Sequence, residues 1–484
     1  MPLNGILADA PAPEAASSKL GAQILQRLEA EIVEAGWVRG ARLGAEEELA
    51  RRFGVSRAIM REAAAMAELN GMVESRRGKH GGLFVAASAQ YVAVSTLSHY
   101  FVLTGTESSQ INEIRFVIQQ LVCTLATRHM DLASAQRLRD FVSDVPGSPR
   151  DITRRARLAL MELHRAAGLR ALGLFDLALG ESSLDQLLWA GATREEIADF
   201  SLGLWAARGR QIEAIIAADP TGMLREQHAI AQMYAEEHRR LTPPRAASGV
   251  GPLAFHRDDL KPMKKPEAVA RIIAQRVTSA ASPGERIGSE HDIMRELEVS
   301  RGVVREAVRS LERHGIVAQE RGFAGGLHVG TPRPDEAVRV ARLYLSRELR
   351  GAQAAVQRVA LSLQLIAAKF AARRAEAGEA AFFDRVAQIR AEIEGVDDPP
   401  SRLAALDAGL AELSGSRVLG CFTRILALDV EFRIDRESFD GAEMRAAQAT
   451  LLDALERGDV ALARRGVLAS RRASGVDVPQ IGPI

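Results

Sequence analysis

The sequence predicts a mainly α-helical protein in which two winged helix-turn-helix domains, each with a small β-hairpin wing, are each followed by an all-α helical bundle. Three observations predict this fold class. A segment near the N-terminus recurs 244 residues later without a gap. Each copy shows short helical patterns joined by a turn and followed by two strand-like pieces. The rest of each half is rich in Ala, Leu, Arg and Glu with helical periodicity and almost no strand signal.

The repeat pairs residues 41–85 with residues 285–329, and 19 of the 44 positions after the first pair are identical. Identical residues include the Val-Ser-Arg triplets ending at Arg57 and Arg301, and the Arg-Glu pairs beginning at Arg61 and Arg305. Because chance does not give this agreement in one register, we interpret the chain as a tandem duplication.

Each copy opens with an amphipathic helical pattern, at about 19–36 and 266–280, followed by a second helix at about 45–53 and 289–297. Ser56 and Ser300 are placed to cap a third helix, and Gly71 and Gly315 are placed to end it. Two strand-like pieces with a Gly-rich, basic tip then predict the hairpin wing.

These elements predict five segments. They are a first winged-helix domain at 15–87, a first helical domain at 88–241, a linker at 242–263, a second winged-helix domain at 264–331 and a second helical domain at 332–476. The linker is rich in Pro, Gly and Ala, which is typical of an exposed tether.

Composition narrows the class of protein. The 484 residues contain 63 Lys and Arg against 62 Asp and Glu, and 47% of them are apolar, which describes a globular chain of about two to four domains. Cys123 and Cys421 are isolated, so a disulfide scaffold and a zinc ribbon are disfavoured and a reducing cytoplasm is favoured. We expect no membrane span, because no run of about 18 apolar residues occurs. We expect no signal peptide, because the N-terminal residues show no basic region ahead of an apolar core. The balanced charge confines any nucleic-acid surface to local arginines.

The third helix of each repeat predicts a DNA-reading surface. Arg57 and Arg61, like Arg301 and Arg305, lie four residues apart on one face near the helix start, where a helix enters the major groove. The alternative is that these arginines lie on a solvent-exposed helix face, paired with Glu62 and Glu306, and contact no DNA. Recurrence of the whole pattern in register favours DNA contact. The other candidate contacts are the cap hydroxyls of Ser56 and Ser300 and the wing side chains Arg76, Arg77, Lys79, His80 and Arg321.

The pattern from Gly44 through the Val-Ser-Arg triplet to the Gly after the third helix resembles the DNA-binding domain of the GntR superfamily of bacterial transcription regulators. The resemblance covers about 65 residues of each copy. It implies that Arg57, Arg61, Arg301 and Arg305 contact operator DNA. A further arginine of the family is replaced by Glu47 in the first copy and by His291 in the second. A carboxylate at Glu47 would repel a phosphate, so weaker binding or a different base preference is expected there, whereas His291 retains the ability to donate.

The helical domains resemble, less specifically, the FCD effector domains of the FadR branch, many of which hold a metal through one Asp and three His. The second helical domain contains no histidine, and spacing in the first does not reproduce the motif, so no metal and no other cofactor is expected. An effector is then expected in an apolar cavity with a few polar groups. Arg115, His164 and Arg358 are the candidate contacts for a small organic acid or another small molecule. A helix-surface or domain-interface arginine is the alternative for Arg115 and Arg358.

The sequence therefore predicts a cytoplasmic, nucleoid-associated transcription regulator, most simply a ligand-responsive repressor with two winged helices in one chain. Its partner is double-stranded operator DNA, and both a single-chain pseudo-dimer and a homodimer are open. The alternative is a DNA-bound interaction or scaffold protein whose helical domains sense no ligand. No catalytic motif occurs, so no enzymatic activity is expected.

Overall fold

The structure is a computed structural model. It describes residues 13–69, 71–76, 78, 81–143, 149–189, 193–241, 265–280, 282–320, 325–348, 353–426 and 440–475. By contacts within the chain it divides into two compact units, Met1–Thr96 and Leu97–Ile484. The described part is mainly helical, with one small antiparallel sheet in each winged-helix domain, as the sequence predicts.

The first winged-helix domain contains three helices and three short strands in the order α1(Pro13–Glu34), β1(Arg42–Gly44), α2(Glu46–Phe53), α3(Arg57–Leu69), β2(Val73–Arg76) and β3(Gly82–Val85). Helix α1 packs on α3. Their apolar side chains form the core with those of α2 and the sheet, including the buried Leu28, Leu49, Met60 and Leu83. This core fixes α2 and α3 as the two helices of a helix-turn-helix.

The second winged-helix domain repeats the order with α11(Lys265–Ala280), β4(Arg286–Gly288), α12(Glu290–Leu297), α13(Arg301–Arg313), β5(Val317–Glu320) and β6(Gly326–Val329). Gly71 and Gly315 follow α3 and α13 with φ of 69° and 68°, the left-handed conformation that ends a helix. The predicted stop signals are therefore in place.

Each sheet has three strands rather than the two of the predicted hairpin, in the orders β1-β3-β2 and β4-β6-β5. The additional strand, β1 or β4, lies directly against a glycine of the wing. A Cβ on Gly82 would lie 2.5 Å from the carbonyl oxygen of Gly44, and one on Gly326 would lie 2.6 Å from that of Gly288. The second glycine of each Gly-Gly pair is therefore required by this close approach at the start of β3 and β6.

The first helical domain contains α4(Ala89–Leu103), α5(Ser108–His129), α6(Leu132–Val142), α7(Pro149–Ala166), α8(Leu172–Trp189), α9(Arg194–Ile216) and α10(Pro220–Leu241). The second contains α14(Asp335–Glu348), α15(Gln353–Ala375), α16(Ala380–Glu394), α17(Pro399–Leu413), α18(Arg417–Leu426), α19(Gly441–Glu456) and α20(Val460–Ala473). Cys123 and Cys421 are buried free thiols, and burial raises the pKa of each to about 12. Among the described residues, no helix is both long and apolar enough to cross a membrane.

Within the unit Leu97–Ile484, the two helical domains pack on each other. The ring of Phe422 in α18 lies 4.1 Å from that of Phe175 in α8, centroid to centroid. Glu113 in α5 pairs with two cations of α15, at 2.5 Å from Arg373 and 3.8 Å from Lys369. The contact therefore joins an apolar centre to charged pairs at its side.

The second winged-helix domain packs on the first helical domain in the same unit. Nη2 of Arg271 in α11, whose side chain is 2% exposed, donates to Asp185 of α8 at 2.9 Å. Nε2 of His99 in α4 lies 3.0 Å from Glu267 in α11. Leu103, at the end of α4, belongs to the apolar core of the second winged-helix domain. The contact therefore combines a buried ion pair with shared apolar packing.

Candidate nucleic-acid interface

The helices α3 and α13 begin as the sequence predicts. The hydroxyl of Ser56 accepts a hydrogen bond from the Ile59 N–H at 3.3 Å, so it caps α3. Ser300 occupies the cap position of α13 with extended backbone angles, but its hydroxyl makes no capping hydrogen bond. Its side chain is exposed, which leaves the hydroxyl able to meet a phosphate at the helix start.

Arg57 and Arg61 point into solvent from the first turns of α3, with 70% and 73% of their side chains exposed. Both make ion pairs with α2. Nη2 of Arg57 donates to Oε1 of Glu47, and Nε of Arg61 lies 3.5 Å from Oε2 of Glu46. Their carboxylate partners therefore come from α2, not from Glu62 of their own helix, which the alternative interpretation of the sequence named.

Arg301 and Arg305 are also exposed on α13, and within the described part of the chain neither has an ion-pair or hydrogen-bond partner. The residue that corresponds to Glu47 is His291, which is exposed. Glu290, which corresponds to Glu46, accepts a hydrogen bond from Gln319 Nε2 at 3.4 Å. The second reading surface is therefore positively charged where the first is internally paired.

The wing of the first domain is described only in part. Arg76 lies at the end of β2, 2.5 Å from Glu74, and its guanidinium stacks 4.3 Å from the centroid of the Phe84 ring. The other predicted wing contacts, Arg77, Lys79, His80 and Arg321, lie outside the described residues.

A helix-turn-helix with exposed guanidinium groups at the start of its second helix, followed by a β-wing, defines a winged-helix DNA-binding domain. Two segments of the chain, residues 20–85 and 265–324, match the family described as "Bacterial regulatory proteins, gntR family". The chain thus carries two GntR-type DNA-binding domains, the kind found in transcription regulators.

Two solved structures are similar to parts of the chain. Streptococcus agalactiae GntR is 20% identical, with 45% of this chain and 99% of that chain covered and a TM-score of 0.32. E. coli McbR/YncC is 16% identical, with 46% of this chain and 96% of that chain covered and a TM-score of 0.25. No curated protein sequence matches the chain.

The candidate effector residues of the first helical domain lie together inside the bundle. Nε of Arg115 donates to Oδ1 of the buried Asp176 at 3.1 Å, and its guanidinium lies 5.0 Å from the centroid of the Tyr234 ring. His164 is fully buried, with Nδ1 2.7 Å from the Leu160 carbonyl oxygen and Nε2 3.6 Å from Oδ2 of Asp176. Arg115 is therefore mostly buried, with 13% of its side chain exposed, and is not the helix-surface arginine that was one of the alternatives.

Burial lowers the pKa of His164, so its imidazole is neutral near pH 7. Because Nδ1 faces a carbonyl oxygen, it carries the proton, and Nε2 is an acceptor. Nε2 therefore faces another acceptor, Oδ2 of Asp176, and within the described residues neither atom has a hydrogen-bond partner. A donor placed between them would satisfy both.

The neighbouring polar groups extend this cluster. Arg208 of α9 donates to Gln119 at 3.1 Å, and Gln119 donates to Asp176 at 2.9 Å. Burial lowers the pKa of the Arg208 guanidinium. Sequence reasoning missed Asp176, because no motif marks it as the carboxylate that gathers Arg115, Gln119 and His164.

In the second helical domain, the buried carboxylate of Asp407 forms an ion pair with a buried arginine. Nη2 of Arg471, 1% exposed, lies 3.0 Å and 2.9 Å from the two carboxylate oxygens of Asp407, and its Nε donates to Gln364 at 2.6 Å. Arg358, the candidate on α15, is half-buried, and its Nε is without a hydrogen-bond partner in the described part of the chain. The structure therefore gives Arg115 and Arg358 different surroundings.

The helical domains do not fit the metal that FCD domains hold. At Asp407 the Arg471 guanidinium already supplies the positive charge, and beside Asp176 lie the guanidinium groups of Arg115 and Arg208. Across the described residues, no three His, Cys, Asp or Glu side chains lie close enough to hold an ion. Cations in these places would oppose a divalent ion.

Proposed function

We propose that the protein is a sequence-specific, DNA-binding transcription regulator of a bacterial cytoplasm, acting as a ligand-responsive repressor through both winged-helix domains. The observation that carries this proposal is the exposed pair Arg301 and Arg305 on the first turns of α13, inside a segment that matches the gntR family. Guanidinium groups at this position reach guanine edges and phosphates when the helix enters the major groove.

The two winged-helix domains act on one operator. Because they share one chain, binding of one raises the effective concentration of the other. Packing of Phe175 on Phe422 supports a single-chain pseudo-dimer, since two helical domains of one chain meet as two subunits would. The reading surfaces differ at Glu47 and His291, so the operator has two unlike half-sites. A homodimer of the fused chain would carry four winged helices.

The effector is a small organic acid or a similar small molecule bound in the first helical domain. Arg115 supplies positive charge, and His164 with Asp176 offers two acceptor atoms for a donor group of the ligand. Helix α8 carries Asp176 in this cluster and Asp185 in the contact with Arg271 of the second winged-helix domain. A ligand that shifts α8 would thus change operator affinity, by a coupling free energy of about 1–3 kcal/mol.

The deciding experiment is selection of bound sequences from a random duplex library by the purified full-length protein. We expect an enriched site with two dissimilar half-sites. A symmetric site would contradict the single-chain pseudo-dimer and point to one dominant winged helix in a homodimer. Absence of any enrichment would contradict sequence-specific regulation.

The second candidate is a DNA-bound interaction or scaffold protein whose helical domains sense nothing. The ion pair of Asp407 with Arg471 favours it for the second helical domain, because it satisfies the buried charges without a ligand. Thermal unfolding and operator binding should be measured with a panel of small carboxylic acids, including pyruvate and citrate. Stabilisation together with release of DNA supports the ligand-responsive regulator, and retained DNA binding without any response supports the scaffold.

A further inference from the structure

The ion pairs of the two reading surfaces differ systematically. In the first winged-helix domain Arg57 pairs with Glu47, Arg61 with Glu46, and Arg42 with Glu48 at 3.4 Å. Each guanidinium of this surface therefore has a carboxylate from the start of α2 within ion-pair distance.

The corresponding groups of the second domain share the backbone contacts of the first domain but not its ion pairs. Arg286, which corresponds to Arg42, donates to the Gly325 carbonyl oxygen at 3.3 Å, as Arg42 donates to that of Gly81 at 3.4 Å. Asp292, which corresponds to Glu48, accepts from the Ser289 N–H at 2.9 Å and from Arg295 at 2.8 Å. Its carboxylate caps α12, as that of Glu48 caps α2, but the arginine it pairs with is Arg295 of its own helix. Among the described residues, neither Arg301 nor Arg305 has a carboxylate partner.

We propose that the second winged-helix domain is the high-affinity DNA-binding domain, and that Glu46 and Glu47 restrain the arginines of the first domain in ion pairs which DNA must break. This inference rests on the proposed function. It assigns Glu47 and His291 as the residues that set the relative affinity of the two half-sites.

The physical argument is one of charge. Affinity for duplex DNA comes largely from cations that replace condensed counterions on phosphates. A guanidinium that is already paired must first lose its carboxylate, and that carboxylate then faces the phosphates. Because the pairs are exposed, they are weak in water and do not prevent binding; they lower the affinity of one half-site relative to the other.

The chain itself offers a reciprocal test, because position 47 in the first domain corresponds to position 291 in the second. Glu47→His removes the partner of Arg57, and His291→Glu places a carboxylate ten residues before Arg301, as Glu47 stands before Arg57. The two changes alter the same surface in opposite directions while conserving the backbone. The double variant E47H/H291E exchanges the two reading surfaces at this position.

Binding would be measured with full-length protein and a fluorescent random-sequence duplex pool of about 30 base pairs, roughly three helical turns. The salt concentration would be varied between about 50 and 200 mM. We expect His291→Glu to weaken binding about tenfold and Glu47→His to strengthen it about threefold, with a steeper salt dependence. Glu34→Gln, a charge change at the end of α1 outside the helix-turn-helix, is the control and should leave affinity unchanged.

Paired arginine substitutions complete the test. Arg301→Ala with Arg305→Ala should abolish most of the affinity, whereas Arg57→Ala with Arg61→Ala should reduce it about threefold or less. Thermal unfolding of each variant shows whether the domains remain folded. Equal losses from the two arginine pairs, or swaps without effect, would overturn the inference while leaving DNA binding intact. A wild-type protein that does not bind the pool would instead overturn the proposed function.

Discussion

The rings of Phe175 and Phe422 lie with their centroids 4.1 Å apart and their planes inclined by 35°, so that α8 and α18 meet through an aromatic contact. Phe422 is fully buried and also lies 5.7 Å from Phe101, edge to face. One side chain thus joins the two helical domains.

Substitution of Phe422 tests this contact. Phe422→Ala should lower the free energy of unfolding by about 3–5 kcal/mol, because it removes a buried ring and leaves a cavity between α8 and α18. Urea denaturation measures the change. Leu132→Ala is the control, since Leu132 is 92% exposed and its loss should cost less than about 0.5 kcal/mol. Equal effects of the two substitutions would show that the helical domains do not meet in this way.

The buried pair Arg271–Asp185 supplies a second prediction. Asp185→Asn removes the nearer of two carboxylates that pair with a guanidinium 2% exposed, the other being Glu267 at 3.4 Å, and should destabilise the protein by about 2–4 kcal/mol. Replacing both residues, as Arg271→Met with Asp185→Asn, should recover part of that loss because the buried guanidinium is removed together with its nearer partner. Glu296→Gln breaks the exposed pair with Arg276 and should cost less than about 1 kcal/mol. If the double variant lost as much stability as Arg271→Met and Asp185→Asn together lose as single variants, the two residues would not interact directly.

The sequence predicted the local elements of the winged-helix domains well and the tertiary pairings poorly. Ser56 and Gly71 bound α3 as expected, because caps act within a few residues. The strands β1 and β4 were missed, since three residues show no alternation and are held only by pairing with β3 and β6. The partner of Arg57 was missed because Glu47 reaches it only through the placement of α2 beside α3. No local pattern could reveal that Arg271 of α11 pairs with Asp185 of α8.

Arg301 is expected to read a base. Arg301→Ala should weaken binding to the selected operator by about 1–3 kcal/mol. Arg301→Lys keeps the charge but loses the two-pronged geometry that matches guanine. It should therefore bind the scrambled duplex as wild type does, but it should prefer the operator no more than Arg301→Ala does. Fluorescence anisotropy with the operator and with a scrambled duplex measures both. If Arg301→Lys bound the operator as specifically as the wild type does, Arg301 would contact a phosphate and not a base.

The wing of the first domain is expected to contact phosphate. Lys79→Ala should reduce the slope of log K against log salt by about one unit at most, with little change in sequence preference. The slope is obtained from binding isotherms at several salt concentrations. An unchanged slope would show that Lys79 in the wing does not contact DNA phosphates.

His314 gives the second winged-helix domain a dependence on pH. Burial, followed by the charges of Arg313 and His99, lowers its pKa to about 3 against the opposing effect of Glu336, and its ring packs 5.8 Å from that of Tyr100. In the unfolded chain the imidazole has a pKa near 6.5. Above that value the folded and unfolded states bind the same number of protons. Below it the unfolded state binds one more, so stability falls as the pH decreases toward 3.

Between pH 7 and pH 5 this group alone should remove about 2 kcal/mol from the free energy of unfolding. His314→Phe keeps an aromatic ring against Tyr100 and cannot take up a proton, so its loss of stability over the same interval should be smaller by that amount. Burial likewise lowers the pKa of His164, and that of His238 to about 4, and both remain in the variant. The informative quantity is therefore the difference between wild type and variant in urea denaturation at the two pH values. Identical pH profiles would show that His314 can be protonated in the folded protein.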